Sequence, residues 1–140
     1  MFETKAIMST DVVSVKKDAP VSRVIEIMVE NDVTGVPVIN GDGTLAGIIT
    51  EEDVLGLLRN GVDDSARAED YMTGNVVSFD EDEDLIAICE CLVNNHFRRV
   101  PIVSQGKLVG IISRRDIIRY ILEPNTSGSH LPDAMLPGRG

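Results

Sequence analysis

The chain is poor in the residues that carry metal and redox chemistry. It has two cysteines, Cys89 and Cys91, and two histidines, His96 and His130. The cysteines stand at i and i+2 inside an apolar helical pattern, and such positions do not face each other. That spacing argues against a mutual disulfide or a shared metal and reads them as small packed side chains. The histidines are far apart, so no Cys/His group has metal-ligand spacing. No apolar run approaches the ~18 residues of a membrane span. The start, MFETKAIMST, lacks the basic and apolar segments of a secretory signal, so the expected compartment is the cytoplasm, with no membrane partner. Neither a GxxxxGK nor a GxGxxG loop occurs. No hydroxyl has a neighbouring histidine with an acidic partner, so an enzyme is not expected.

Basic charge is also scarce. The net charge of −10 argues against binding nucleic acid through its phosphates. Yet between Arg98 and Arg119 there are six basic side chains and one acid, Asp116. That cluster reads either as a small-anion site or as a solvated face offsetting the acids from Asp80 to Asp84.

What the chain does contain is itself, twice. A shift of 64 places Met8, Val12, Val13, Ser14 and Asp18 on Met72, Val76, Val77, Ser78 and Asp82. The same shift places Val29, Asn31, Val36 and Pro37 on Val93, Asn95, Val100 and Pro101. One deletion, at NGDG versus SQG, changes the shift to 63, and then Gly47, Ile48, Ile49 and Asp53 fall on Gly110, Ile111, Ile112 and Asp116. An indel at a turn is where a structural repeat accepts one.

Each copy reads as β-α-β-β-α. A β-rich piece (DVVSV, NVVSF) leads to an acidic turn, with Asp18 or Asp82 placed as helix N-cap and Pro20 in the first turn. Val21, Val24, Ile25, Met28 and Val29 have the i, i+3, i+4, i+7, i+8 spacing of an amphipathic helix. Two strands follow as a hairpin, GVPVI with LAGII and RVPIV with LVGII. Pro37 and Pro101 cannot donate to a ladder, which predicts edge strands or strand starts. A second helix closes each copy, from Thr50 to about Leu58 and from Ser113 to about Leu122. The expected class is α+β, with repeats at 1–62 and 63–123 packed about a pseudo-twofold axis, because one ~60-residue unit has a marginal core. RNGVDDSARAED reads as the connector, and residues 124–140 as a mobile tail.

GIITEED and GIISRRD hold the chemistry. Thr50-x-x-Asp53 and Ser113-x-x-Asp116 each open a helix. S/T-x-x-acid there is a capping box. The same hydroxyl and carboxylate, beside free helix amides, also suit a ribose diol and a phosphate.

The three signatures in register, twice, resemble the CBS domain: MSTDVVSV and MTGNVVSF, GVPVI and RRVPIV, GIITEED and GIISRRD. The resemblance covers residues 6–122. It implies a disc-like pair that binds adenosine-containing ligands between the repeats (AMP, ADP or ATP, also NAD or S-adenosylmethionine). It further implies a regulatory role without catalysis or a required cofactor, a homodimer, and an effector protein the sequence does not name. The alternative is a dimerisation or protein-interaction module that needs no ligand. Carried over residue by residue, the resemblance implies two unequal composite sites. Site A combines Thr50 and Asp53 with Val76, Val77, Arg98, Arg99 and Arg115. Site B combines Ser113 and Asp116 with Val12, Val13, Thr34 and Gly35, with Glu52 nearby, and is expected to be weaker because it lacks cations.

Overall fold

The computed structural model describes residues 3–61 and 63–122. The segment read as a tail, 124–140, lies outside the described residues. The first unit runs α1 (Thr4–Ile7), β1 (Val15–Lys16), α2 (Val21–Asn31), β2 (Gly35–Ile39), β3 (Leu45–Thr50) and α3 (Glu51–Asn60). The second repeats it as α4 (Ala68–Tyr71), β4 (Phe79–Asp80), α5 (Leu85–Asn95), β5 (Arg99–Ser104), β6 (Lys107–Ser113) and α6 (Arg114–Leu122). The β-α-β-β-α order is present twice, each copy preceded by a four-residue helix that no periodicity announced.

Each unit builds one three-stranded sheet, ordered β1-β2-β3 and β4-β5-β6. The first strand is parallel to the second, and the second antiparallel to the third. The expected strands DVVSV and NVVSF shrink to two paired residues each, since only their ends reach a partner. The helix caps also differ from expectation. The residue before α2 is Pro20, and α5 is capped by Asp84, whose carboxylate accepts from the Ile86 amide at 3.3 Å. Asp18 and Asp82 lie in the preceding turns.

The prolines correct a further expectation. β2 and β5 are central strands, and Pro37 and Pro101 are buried within them. The arrangement is tolerated because Pro37 stands opposite Ile48, whose amide and carbonyl both bond outward to Thr73. The β1 ladder begins only one residue later, at Val38. The missing proline donor therefore faces a position where no ladder bond is made. Pro101, opposite Ile111, repeats this with Ser9 in the place of Thr73.

Those outward bonds join the units. Ile48 and Thr73 exchange both backbone bonds, at 3.0 and 2.8 Å, and Ile111 and Ser9 exchange theirs at 3.0 and 2.9 Å. The segment leading into each unit thus covers the sheet edge of the other. The small helices follow it across. Ala68 is fully buried in the first unit's core, with Met72 against it. Ile7 and Met8 pack on the second unit's core, and buried Thr4 donates its hydroxyl to the Glu83 carbonyl at 2.6 Å. The polar connector is partly structural for the same reason. The Ala66 carbonyl accepts the Val21 amide, the first donor of α2, at 3.0 Å.

Glycine permits the close approach. A Cβ on Gly47 would stand 2.7 Å from both Met72 Sδ and the Thr73 carbonyl oxygen. On Gly110 it would stand 2.6 Å from Met8 Sδ but 3.1 Å from the nearest backbone oxygen, that of Ser9. A thioether can swing aside, whereas a paired backbone carbonyl cannot without breaking the bridge. We expect Gly47→Ala to lower stability by ~1–3 kcal/mol, and Gly110→Ala by less. Thermal melts of the two variants check the order; equal melting temperatures would show that the Thr73 bridge is not rigid.

Candidate functional site

Crossing the leading segments opens a cleft between the units. A cavity of about 550 Å³ lies there. One wall comes from the first unit: Thr34, Ile48 and the start of α3, Thr50 to Glu52. The other comes from the second: Thr73 and Asn75 to Val77 on the leading segment, then Asn95 to Pro101, from the end of α5 into the start of β5. The bridge from Thr73 to Ile48 sets the distance between the walls, because it lies two residues before Asn75.

Thr50, Val76, Val77, Arg98 and Arg99, expected together in site A, all line this cavity. Asp53 does not. Its Oδ2 accepts from the Thr50 amide at 2.8 Å and the Thr50 hydroxyl at 3.1 Å, closing a capping box at α3. Beyond the cap it borders a narrow crevice with Val54, Leu57 and Tyr71. Of the two readings of this motif, the cap is therefore realised, and only the hydroxyl member reaches the cavity. The second copy caps α6 in the same way. The Ser113 amide donates to Asp116 Oδ2 at 2.9 Å, and the Asp116 amide donates to Ser113 Oγ at 3.1 Å.

Three placements differ from the expected partition. Arg115 is exposed and does not line the cavity, whereas Glu52 does. The physical reason is simple: residues in a helix's first turn stay beside their own cap, so Glu52 belongs with Thr50 and Arg115 with Ser113. Thr34, assigned to site B, also lines this cavity, where its hydroxyl accepts from Arg99 Nη2 at 2.9 Å across the unit boundary. Of the other site B residues, Val12, Val13, Ser113 and Asp116 are half-buried, and Gly35 is buried at the start of β2. Val13 packs on the first unit's core.

The electrostatics centre on Arg99. Its Nε is buried and has no hydrogen-bond partner. Burial pushes its guanidinium below the ordinary arginine value, with Asp116 and Glu51 pulling the other way and Arg98 adding to the depression. Among the described residues Arg99 has no ion pair; its side-chain partner is a neutral hydroxyl. Arg98 is more exposed and reaches Glu51 Oε1 at 3.6 Å, from one unit to the other. Arg114 braces the loop that carries both arginines, donating to the carbonyls of Phe97 at 2.6 Å and Leu92 at 2.8 Å.

Glu51, Asn75, Asn95, His96 and Phe97 line the cavity without having been singled out as site residues. A signal for part of this group was present. His96 holds φ 56° at the end of α5, and its counterpart under the 64-residue shift, Asp32, holds φ 51° at the end of α2. The repeat thus marks a fixed bend two residues before Thr34 and before Arg98. No group of three or more His, Cys, Asp or Glu side chains suited to a metal is found among the described residues. No helix among them is long and apolar enough to cross a membrane.

Comparison with known proteins agrees with this architecture. The CBS domain profile matches residues 5–60 and 68–123. The structure of CBSX2 in complex with AMP aligns at TM-score 0.77 and 29% identity, covering 85% of this chain and 95% of that one. A CBS domain pair in complex with 5′-methylthioadenosine and S-adenosyl-L-methionine aligns at TM-score 0.74 and 25% identity, covering 85% and 94%. An uncharacterized protein of Methanocaldococcus jannaschii is 35% identical over 117 residues, 84% of this chain; the match spans only 42% of that protein's length. Two profile matches, and the same paired fold in the solved neighbours, place the chain in the CBS-domain family, as a tandem pair of CBS domains.

Proposed function

We propose that this CBS pair is a regulatory module, without catalysis of its own, that binds an adenosine nucleotide in the cavity between its units. Arg99 carries the reading. A guanidinium that is half withdrawn from water, with a buried Nε lacking an acceptor, is costly in an empty cavity. An anion of the right size satisfies it, and arginine forks match phosphate oxygens. The neighbours solved with AMP and with S-adenosylmethionine share the adenosine half of such a ligand. The phosphate half is what Arg99 calls for, which favours AMP, ADP or ATP over S-adenosylmethionine; NAD also carries phosphate.

In this reading the backbone of Val76 and Val77 borders the base, Thr50 offers its hydroxyl to the ribose, and Asp53 orients that hydroxyl through the cap. Arg98 and Arg99 take the phosphate. The second cleft, with Ser113, Asp116, Val12, Val13 and Gly35, is the weaker site. Thr34 and Gly35 bring it no cation, and the Thr34 hydroxyl already accepts from Arg99.

The test is calorimetry with AMP and adenosine on the wild type and Arg99→Met, a substitution that keeps the apolar stem. We expect AMP affinity to fall about tenfold or more, adenosine affinity to be unchanged, and the unliganded protein to melt no lower, since a charge-assisted hydrogen bond contributes ~1.5–3 kcal/mol. Equal loss for both ligands would refute the phosphate assignment.

We also propose a homodimer. Val29 and Val93 are 77% and 66% exposed, and Leu55 and Ile118 are 63% and 56% exposed. These are repeat-related pairs, so the same exposed apolar positions recur in both units, which suits a self-complementary interface. Sedimentation should give a dimer for the wild type and a folded monomer for Val29→Glu/Val93→Glu. A monomeric wild type at high concentration would defeat this reading and leave these positions to an effector protein.

A further inference from the structure

We infer that Glu51 limits the charge of the ligand this cavity accepts, so that a nucleoside monophosphate is preferred over the di- and triphosphate. The inference rests on the nucleotide reading above and assigns the specificity within it.

Glu51 is the first residue of α3, and its amide donates to the Thr34 carbonyl at 3.0 Å, which fixes its backbone at the cavity wall. Its carboxylate lies 3.6 Å from Arg98 and is among the charges acting on Arg99. It therefore stands where a phosphate must arrive. The pair with Arg98 is open to water, with side-chain exposures of 71% and 55%. Such pairs are weak, so an incoming phosphate can displace the carboxylate from Arg98. It cannot remove the carboxylate from the site.

Charge counting then sets the limit. The lysines and arginines lining the cavity are Arg98 and Arg99 alone, against Glu51 and Glu52. A phosphomonoester brings about two negative charges, and the half-buried Arg99 compensates them first. Each further phosphate adds negative charge with no third arginine or lysine to meet it. Glu51 and Glu52, on the same cavity lining, add to the repulsion.

Helix formation does not require an acid at this position. The repeat places Arg114 there in the second unit, and α6 forms all the same. An acid in the first turn does favour the helix dipole, so a purely structural role for Glu51 would appear as a change in stability with no change in ligand preference.

The experiment is calorimetry with AMP and ATP in the presence of a chelator, on the wild type, Glu51→Gln and Glu51→Arg, with a thermal melt of each. The wild type should bind AMP more tightly than ATP. Glu51→Gln should raise ATP affinity about tenfold and AMP affinity less, and Glu51→Arg should narrow the preference further. A wild type that favours ATP, or an AMP-to-ATP ratio that stays constant across the three proteins, overturns this inference while leaving the nucleotide reading in place. Failure of the wild type to bind AMP, ATP or adenosine overturns both.

Discussion

The backbone exchange between Ile48 and Thr73, and its counterpart between Ile111 and Ser9, is the constraint from which the rest of the molecule follows. β3 and β6 are sheet edges, and an open edge leaves unpaired amides and carbonyls. Here the leading segment of the opposite unit meets each edge where a glycine lets it approach. That contact draws α4 into the first core and α1 into the second. Neither unit then has a complete core of its own. For units this small the consequence is two cores, each completed by a segment of the other unit. The same contact carries Asn75 to Val77 to the opening of α3, so the cleft is a by-product of how the sheets are closed.

Within that frame the two copies have diverged where they face the cleft. The helix-opening pair Glu51-Glu52 corresponds to Arg114-Arg115, and Thr34-Gly35 corresponds to Arg98-Arg99. The local backbone is the same in both copies: the Glu51 amide donates to the Thr34 carbonyl, and the Arg114 amide to the Arg98 carbonyl, each at 3.0 Å. Only the side chains have changed function. Arg114 turns back on its own unit and bonds to the carbonyls of Leu92 and Phe97, where α5 ends and cationic donors are favoured. Glu51 faces across to Arg98. The loop bearing the two arginines is thus held from within its unit and opposed from the other.

Most of the fold was legible in the sequence because the repeat supplied two readings of every element. The helical spacing from Val21 to Val29 and the hairpins around Asn40 and Gln105 were visible for that reason. What escaped was non-local. A four-residue helix has no period, and nothing in TKAI or AEDY says which core it joins. Pro37 argued for an edge strand, yet it sits centrally because its ring faces the one place where the β1 ladder has not begun. At the cavity, the sequence points to several of the lining residues but not to all their partners. Arg98 and Arg99, which the basic cluster and the resemblance point to, both line it. The partition of Arg115 and Glu52 that the resemblance implies does not match the cavity lining, because a helix's first turn stays beside its cap.

The cap itself shows why a motif shared by structure and function is hard to read. Thr50 and Asp53 form a capping box whose hydrogen bonds would be worth making in any helix. The threonine nonetheless reaches the cavity while the aspartate stays behind it. One motif member can therefore serve the helix and the other the cleft, and the helix rigidifies the group presented to the ligand. Arg99 is the opposite case. Among the described residues its buried Nε has no hydrogen-bond partner, and Asp116 and Glu51 favour its charge without forming an ion pair with it. A side chain that the fold supports is weak evidence for function; one that the fold leaves unsatisfied, at the meeting point of two units, is strong evidence. The cavity is best defined by what Arg99 lacks.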